Sequence, residues 1–204
     1  MSEERYELAG WLTVASVGLM ILGSGLGVVQ TLIGYSNMIL VPVLAITTII
    51  QTSFSVYAVI WFRRLLNRRF DFHAVDTLIT LLIIAQVLLT FVSIYLRSLP
   101  MAAMDGHMEK KEALALIIPA LITLCSVAFP MAIVGIVFGI RILRLNDTLF
   151  GYLKPLAYTQ IIGSSLILTF FLAPIGGLVL MAGEIFQALI LIQSARELPE
   201  PEFV

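Results

Sequence analysis

Glu184 is the residue of this chain that packing alone explains least. It stands inside an apolar run near Gly177–Ala195, about two helical turns from one end of that run. A carboxyl at such a depth must be neutral, paired or facing water, and ionisable groups inside a bilayer are by default sites of proton or ion handling. The competing reading is a neutral glutamic acid that hydrogen-bonds to a neighbouring helix as packing glue. Gln187 follows three residues later and shares its helical face. A hairpin of the last two helices about Ile175 would bring Thr169 within a turn of Glu184, and Ser164 and Ser165 beside Gln187. Gln51, flanked by Thr47, Thr48 and Thr52, stands mid-span in another helix, and Gln86 in a third. Thr123, Cys125 and Ser126 lie at similar depth in a fourth. If these faces converge, the protein has a central polar layer. That layer would be a solute or proton path, or a set of interhelical hydrogen bonds contributing about 0.6 to 2 kcal/mol each.

A second group of residues points to the membrane surface. Arg63, Arg64, Arg68 and Arg69 alternate with Leu65, Leu66, Phe70 and Phe72. Such a stretch lays its apolar side chains in the interface while its guanidinium groups reach phosphates. Contact with anionic lipid headgroups is the functional expectation, and simple topology anchoring the plainer one. Asp71 is expected to cap the helix that follows. Met101, Met104, His107 and Met108, with Asp105 and Glu109, are of types that suit copper(I). Their spacing makes no tight site, so no metal is expected.

Several chemistries are excluded. The one cysteine, Cys125, forbids an internal disulfide and a cysteine-based metal cluster. His73 and His107 are expected on opposite faces of the bilayer, about 30 Å apart, and cannot share a haem or metal. No zinc-protease His-Glu-x-x-His, serine-hydrolase Gly-x-Ser-x-Gly or phosphate-loop motif occurs. Neither an enzyme nor a cofactor is expected.

The elements that carry these residues follow from composition. Of 204 residues, 60% are hydrophobic and 12% charged, against roughly 25% charged in a soluble domain. A net charge of −1 leaves no electrostatic footprint for nucleic acid. The chain reads as an all-α, polytopic transmembrane helical bundle. Ala9–Phe62 carries no charge and is long enough for two crossings at about 20 residues each, broken at Gly34-Tyr35-Ser36-Asn37. Helices are expected near 9–33, 38–62, 74–96, 113–143, 155–173 and 177–195, six in all, with five as the alternative. Pro119 and Pro130 are expected to kink the fourth. Pro174-Ile175-Gly176-Gly177 is expected to separate the last two. Residues 197–204, with two prolines and three acids, read as a disordered tail.

Charge orients the bundle. With both termini in the cytoplasm, the inner loops hold Arg63, Arg64, Arg68, Arg69, Arg141, Arg144 and Lys154, and the outer loops only Arg97, Lys110 and Lys111. The acidic flank and the length of the first apolar run argue for an uncleaved anchor, and the cytoplasmic membrane is the assumed location. Gly23 with Gly27, and Gly135 with Gly139, form Gly-xxx-Gly pairs suited to close helix contact, expected mainly within the chain. No internal repeat emerges. The sequence therefore leads to a small accessory or scaffold subunit of a membrane complex. The alternative is a small oligomeric transporter or channel that uses Glu184. The expected partners are the bilayer, anionic headgroups, and a second copy or another membrane protein.

Overall fold

The computed structural model describes residues 2–33, 40–104, 110–145, 149–169 and 171–197. Among these the chain is all-α, with six helices: α1 (Ser2–Ile33), α2 (Leu40–Phe70), α3 (Asp76–Met104), α4 (Lys110–Leu143), α5 (Leu153–Leu168) and α6 (Ala173–Glu197). A 3-10 turn over His73–Val75 leads into α3. Five of the six, all but α5, are long and apolar enough to cross a membrane. With 16 residues, α5 reaches about 24 Å, short of a hydrocarbon core of about 30 Å.

The helices run alternately up and down in a closed ring. Each packs on its neighbours in sequence, α6 returns to α1, and α2 touches α6 across the ring. Because of the alternation, one end gathers the start of α1, α3 and α5 and the close of α2, α4 and α6. The largest apolar core sits there, and every helix contributes to it: Tyr6, Trp61, Phe62, Leu66, Ile79, Ile142, Leu156 and Leu191 are among its members. The same end carries the arginines of α2 and is called the basic end below.

The helices differ from expectation at their boundaries. α2 does not stop where the apolar run stops at Phe62 but continues to Phe70, because arginine, leucine and asparagine break no helix and both leucines there are buried. It ends at Asp71, whose φ of 49° is left-handed. Asp71 therefore closes α2 and does not cap α3; the acid in the first turn of α3 is Asp76. Pro119 and Pro130 both lie within an unbroken α4. The separation of α5 from α6 falls before Pro174, not at it. Proline is tolerated in a first helical turn, where its missing N–H has no intrahelical partner to lose, so α6 already starts at Ala173. Gly176 and Gly177 are thus helical, and the hairpin register moves by about one turn. Residues 198–204, most of the expected tail, lie outside the described residues, whereas Glu197 closes α6.

The turn into α5 is left-handed at three successive positions, Leu149, Phe150 and Gly151. A β-carbon disfavours that geometry. Leu149 is fully buried and Arg69 lies over the Phe150 ring, 5.3 Å from its centroid, so tertiary contacts hold the turn in place.

Candidate functional site

Glu184 faces the seam where α1, α2 and α6 meet. Its residue is half-buried, but its Oε2 is sealed from solvent and has no hydrogen-bond partner among the described residues. The side chain of Ser16 on α1 acts on its carboxyl, and Ser16 has no exposure at all. The Ser16 hydroxyl also points at the Gln51 carbonyl of α2, at a long 3.4 Å. Glu184, Ser16 and Gln51 therefore stand at one level on three helices.

The antiparallel register extends this level toward the basic end. A β-carbon on Gly10 of α1 would meet the Ala188 carbonyl and the Ile192 side chain of α6, and Tyr6 packs edge-on against Trp61 at 5.3 Å. One turn below Glu184 lie buried Thr13 of α1, Ser55 of α2 and Gln187 of α6, the last on the face of α6 that carries Gly183 toward α5. Thr13 donates to the Ala9 carbonyl at 2.8 Å. Further down lies the buried Tyr6 hydroxyl, on which Arg68 acts; Ser194 Oγ, buried and unpartnered among the described residues, stands about five turns from Gly176, on the α5-facing side of α6. Between the two levels pass small residues, Ala9, Ala58 and Ala188, together with Leu191.

The structure does not bring the expected α5 residues to this seam. Ser164 is buried on the other side, against α4, where a β-carbon on Gly135 would come within 2.4 Å of its Oγ. Ser165 and Thr169 are exposed and donate to their own helix, to the Ile161 and Leu166 carbonyls, both at 2.7 Å. The register shift at Ala173 is the reason: Gly183 sits against Thr159, so Glu184 is level with the middle of α5 and not with its end. Gln86 lies apart as well. Its carbonyl accepts from Thr90, whose hydroxyl joins Thr52 of α2 at 2.7 Å. This α2–α3 contact continues outward in Arg97, which donates to Thr48 at 3.3 Å.

The arginines of the basic end are committed to protein contacts. Arg63 Nε donates to Asp76 Oδ1 at 2.7 Å. Asn67 reaches both oxygens of the same carboxylate, at 3.0 and 3.2 Å. His73 bridges two acids, Nδ1 to Asp76 at 3.0 Å and Nε2 to Asp71 at 3.1 Å. Arg141 of α4 donates to the Ala74 carbonyl. Arg64 lies 4.5 Å over the Trp61 ring, and Arg5 of α1 lies 5.7 Å from the same ring. Arg68 acts on Tyr6, and Arg69 covers Phe150. Each of the four arginines expected at lipid headgroups thus touches a side chain of the bundle, and Arg63 is held in an ion pair.

Glycine contacts complete the picture. A β-carbon on Gly135 or Gly139 of α4 would strike α5, and one on Gly163 of α5 or on Gly176 or Gly183 of α6 would strike the partner helix of the α5–α6 pair. Gly18, Gly23 and Gly25 of α1 would meet nothing within 4 Å. The Gly-xxx-Gly pair of α4 is used inside the chain, and the glycine run of α1 is not packed in the same way.

Sequence reasoning does not single out Thr13, Ser16, Ser55, Ser194 or Tyr6. A signal is nevertheless present: Tyr6, Ala9, Thr13 and Ser16 recur at three- and four-residue steps, the spacing of one helical face. Of the metal-type residues, Asp105, His107, Met108 and Glu109 lie outside the described residues. Among the described residues no group of three His, Cys, Asp or Glu side chains is placed to hold a metal. No family model matches the chain, and neither a curated protein nor a solved structure matches it.

Proposed function

We propose that this protein is a small accessory or scaffold subunit that binds a transmembrane helix of a partner through the outer face of α1. The carrying observation is the contrast among the glycines: those of α4, α5 and α6 named above are spent on contacts within the chain, whereas Gly18 and Gly25 face open space. They stand seven residues apart on the exposed face that also presents Val14, Ile21, Leu22 and Val29. Small residues at helical repeats let two backbones approach, and dispersion contacts then hold the helices together in lipid. In this reading both termini and the basic end lie in the cytoplasm, in accord with the excess of arginine there, and the membrane is the plasma membrane. The outermost guanidinium groups of α2 also contact anionic headgroups in this arrangement.

The test is native mass spectrometry of the protein released with its surrounding lipid, for the parent and for Gly18→Leu with Gly25→Leu. A stoichiometric partner that disappears in the double variant supports the reading. Assembly unchanged by two leucines on that face refutes it.

A second reading is a small oligomeric transporter or channel, favoured by the Glu184 Oε2 that has no partner among the described residues. It predicts that Glu184→Gln abolishes ion or proton flux through reconstituted vesicles while leaving the fold intact. Flux equal to the parent's would dismiss it.

A further inference from the structure

The last turns of α6 carry an open notch of about 320 Å³, lined by Leu189, Ile192, Gln193, Arg196 and Glu197. These positions recur at three- and four-residue steps, so they form one face of the helix. The face changes character along its length. Leu189 and Ile192 are its apolar part, and Gln193, Arg196 and Glu197 its polar part. Depth accounts for the change. α6 runs for 25 residues from Ala173, about 37 Å, against a hydrocarbon core of about 30 Å. Its charged last turn therefore stands at headgroup level at the basic end, with Leu189 and Ile192 beside the acyl chains.

The polar part offers one charge of each sign. Arg196 is exposed. Unlike the arginines of α2, its side chain is tied to no group among the described residues. Glu197 is exposed too. Its Oε1 accepts from Gln193 Nε2 at 3.0 Å, which sets the carboxylate on the notch face and leaves Oε2 open. A lone anion suits such a site poorly. It would meet the Glu197 carboxylate and the negative end of the α6 dipole, where the last carbonyls lack intrahelical partners. A lone cation would meet Arg196. A ligand that carries a phosphate and an ammonium group a short distance apart satisfies both charges with charge-assisted hydrogen bonds.

We propose that this notch seats one zwitterionic phospholipid of the phosphatidylethanolamine class. Its phosphate accepts hydrogen bonds from the Arg196 guanidinium. Its ammonium donates to Glu197 Oε2 and to the carbonyls that close α6. One acyl chain lies along Leu189 and Ile192. Gln193 is a positioning residue, since it holds the Glu197 carboxylate in place. The site lies on α6, whereas the docking reading concerns the outer face of α1 and the transporter reading concerns Glu184, so it stands or falls separately from both.

The test is lipid retention measured by native mass spectrometry. The full chain is stripped of lipid in detergent and titrated with dioleoyl phosphatidylethanolamine or dioleoyl phosphatidylglycerol, which share their acyl chains and differ in the ammonium group. The parent should hold one phosphatidylethanolamine per chain at least tenfold more tightly than phosphatidylglycerol. Arg196→Gln should weaken that first binding at least tenfold. Glu197→Gln should abolish the preference, so that phosphatidylglycerol binds as well or better. Phosphatidylglycerol held by the parent as tightly as phosphatidylethanolamine, or more tightly, would overturn the proposal. So would a first phosphatidylethanolamine that Arg196→Gln leaves undisturbed. Both altered side chains are exposed, so the fold should be kept, and melting curves give a second readout. Phosphatidylethanolamine should raise the melting temperature of the parent and not that of Arg196→Gln. An equal rise in the two would put the lipid elsewhere and sink the assignment.

Discussion

α6 treats its two neighbours in opposite ways. Toward α5 it presents Gly176 and Gly183, and α5 answers with Gly163, so that backbone meets backbone: a β-carbon on Gly176 would lie 2.7 Å from the Gly163 carbonyl. Toward α1 the same helix presents Glu184, an oxygen of which is buried without a partner among the described residues. Both seams are tight, since a β-carbon on Gly10 of α1 would lie 3.0 Å from the Ala188 carbonyl, but only the α1 seam carries a carboxyl. In lipid, where apolar surface gains nothing by turning inward, close backbone approach is the main source of helix–helix attraction. Both sides of α6 are therefore structural, and the α1 side carries in addition a carboxyl that packing does not require. A carboxyl retained at some cost in stability, beside small residues, is where a function would be placed.

The largest effects should come from filling the glycine seams. In Gly139→Val the first added carbon would already stand 2.8 Å from the Ala157 carbonyl, a backbone atom that cannot step aside. We expect a loss of about 3 kcal/mol, at the upper end for overpacking, read as a fall in the melting temperature in detergent. Gly176→Ala should cost less, about 1 to 3 kcal/mol, because it adds a single carbon against the Gly163 carbonyl. Gly177→Ala supplies the control next door: nothing lies within 4 Å of its added carbon, and helix propensity favours alanine by up to about 1 kcal/mol. Equal effects at 176 and 177 would mean that the α5–α6 contact is not as tight as described.

An intermediate effect belongs to Asp76. Its carboxylate ties together Arg63, Asn67 and His73, and so fixes the α2–α3 turn against which Arg141 also leans. The Arg63 and Asp76 side chains retain 41% and 21% exposure, so solvent screens the pair and the charge contributes little by itself. Asp76→Ala should cost about 1 kcal/mol, mostly through the hydrogen bonds to three partners lost at once. Arg63→Ala should cost less, since Asn67 and His73 remain on the carboxylate. A larger loss for Arg63→Ala than for Asp76→Ala would show that Arg63 has a second role.

How much of this is legible in the sequence depends on what kind of information each feature needs. The helix number and the all-α class follow from apolar run length, a local property. Glu184 stands out because a charge in lipid is expensive wherever its neighbours are. Its partners do not, because they depend on register. Pro174 reads as a break in sequence, yet it sits in the first turn of α6, and that shift of about one turn takes Thr169 away from Glu184 and Ser165 away from Gln187. Ser16 and Thr13 are easy to overlook because hydroxyls in a membrane helix are common and bond their own backbone, as Thr13 does. The arginines of α2 are legible as interfacial, but their stacking on Trp61 and Phe150 is a tertiary fact.

The smallest stability effect should belong to the substitutions that test the proposed function most directly. Gly18 and Gly25 of α1 have open space where a side chain would go, and leucine is the better helix former. Gly18→Leu with Gly25→Leu should change the melting temperature of the isolated protein little, and upward if at all. Two leucines on that face would hold an incoming helix several ångströms further away than two glycines do, and interhelical packing fails with such a gap. The comparison between the two sides of α6 then gains a third term. One side of α6 meets α5 through glycine, the other carries Glu184, and the outer face of α1 is the proposed docking face. A double variant that melts like the parent and still assembles would remove that third term and leave Glu184 as the residue to pursue.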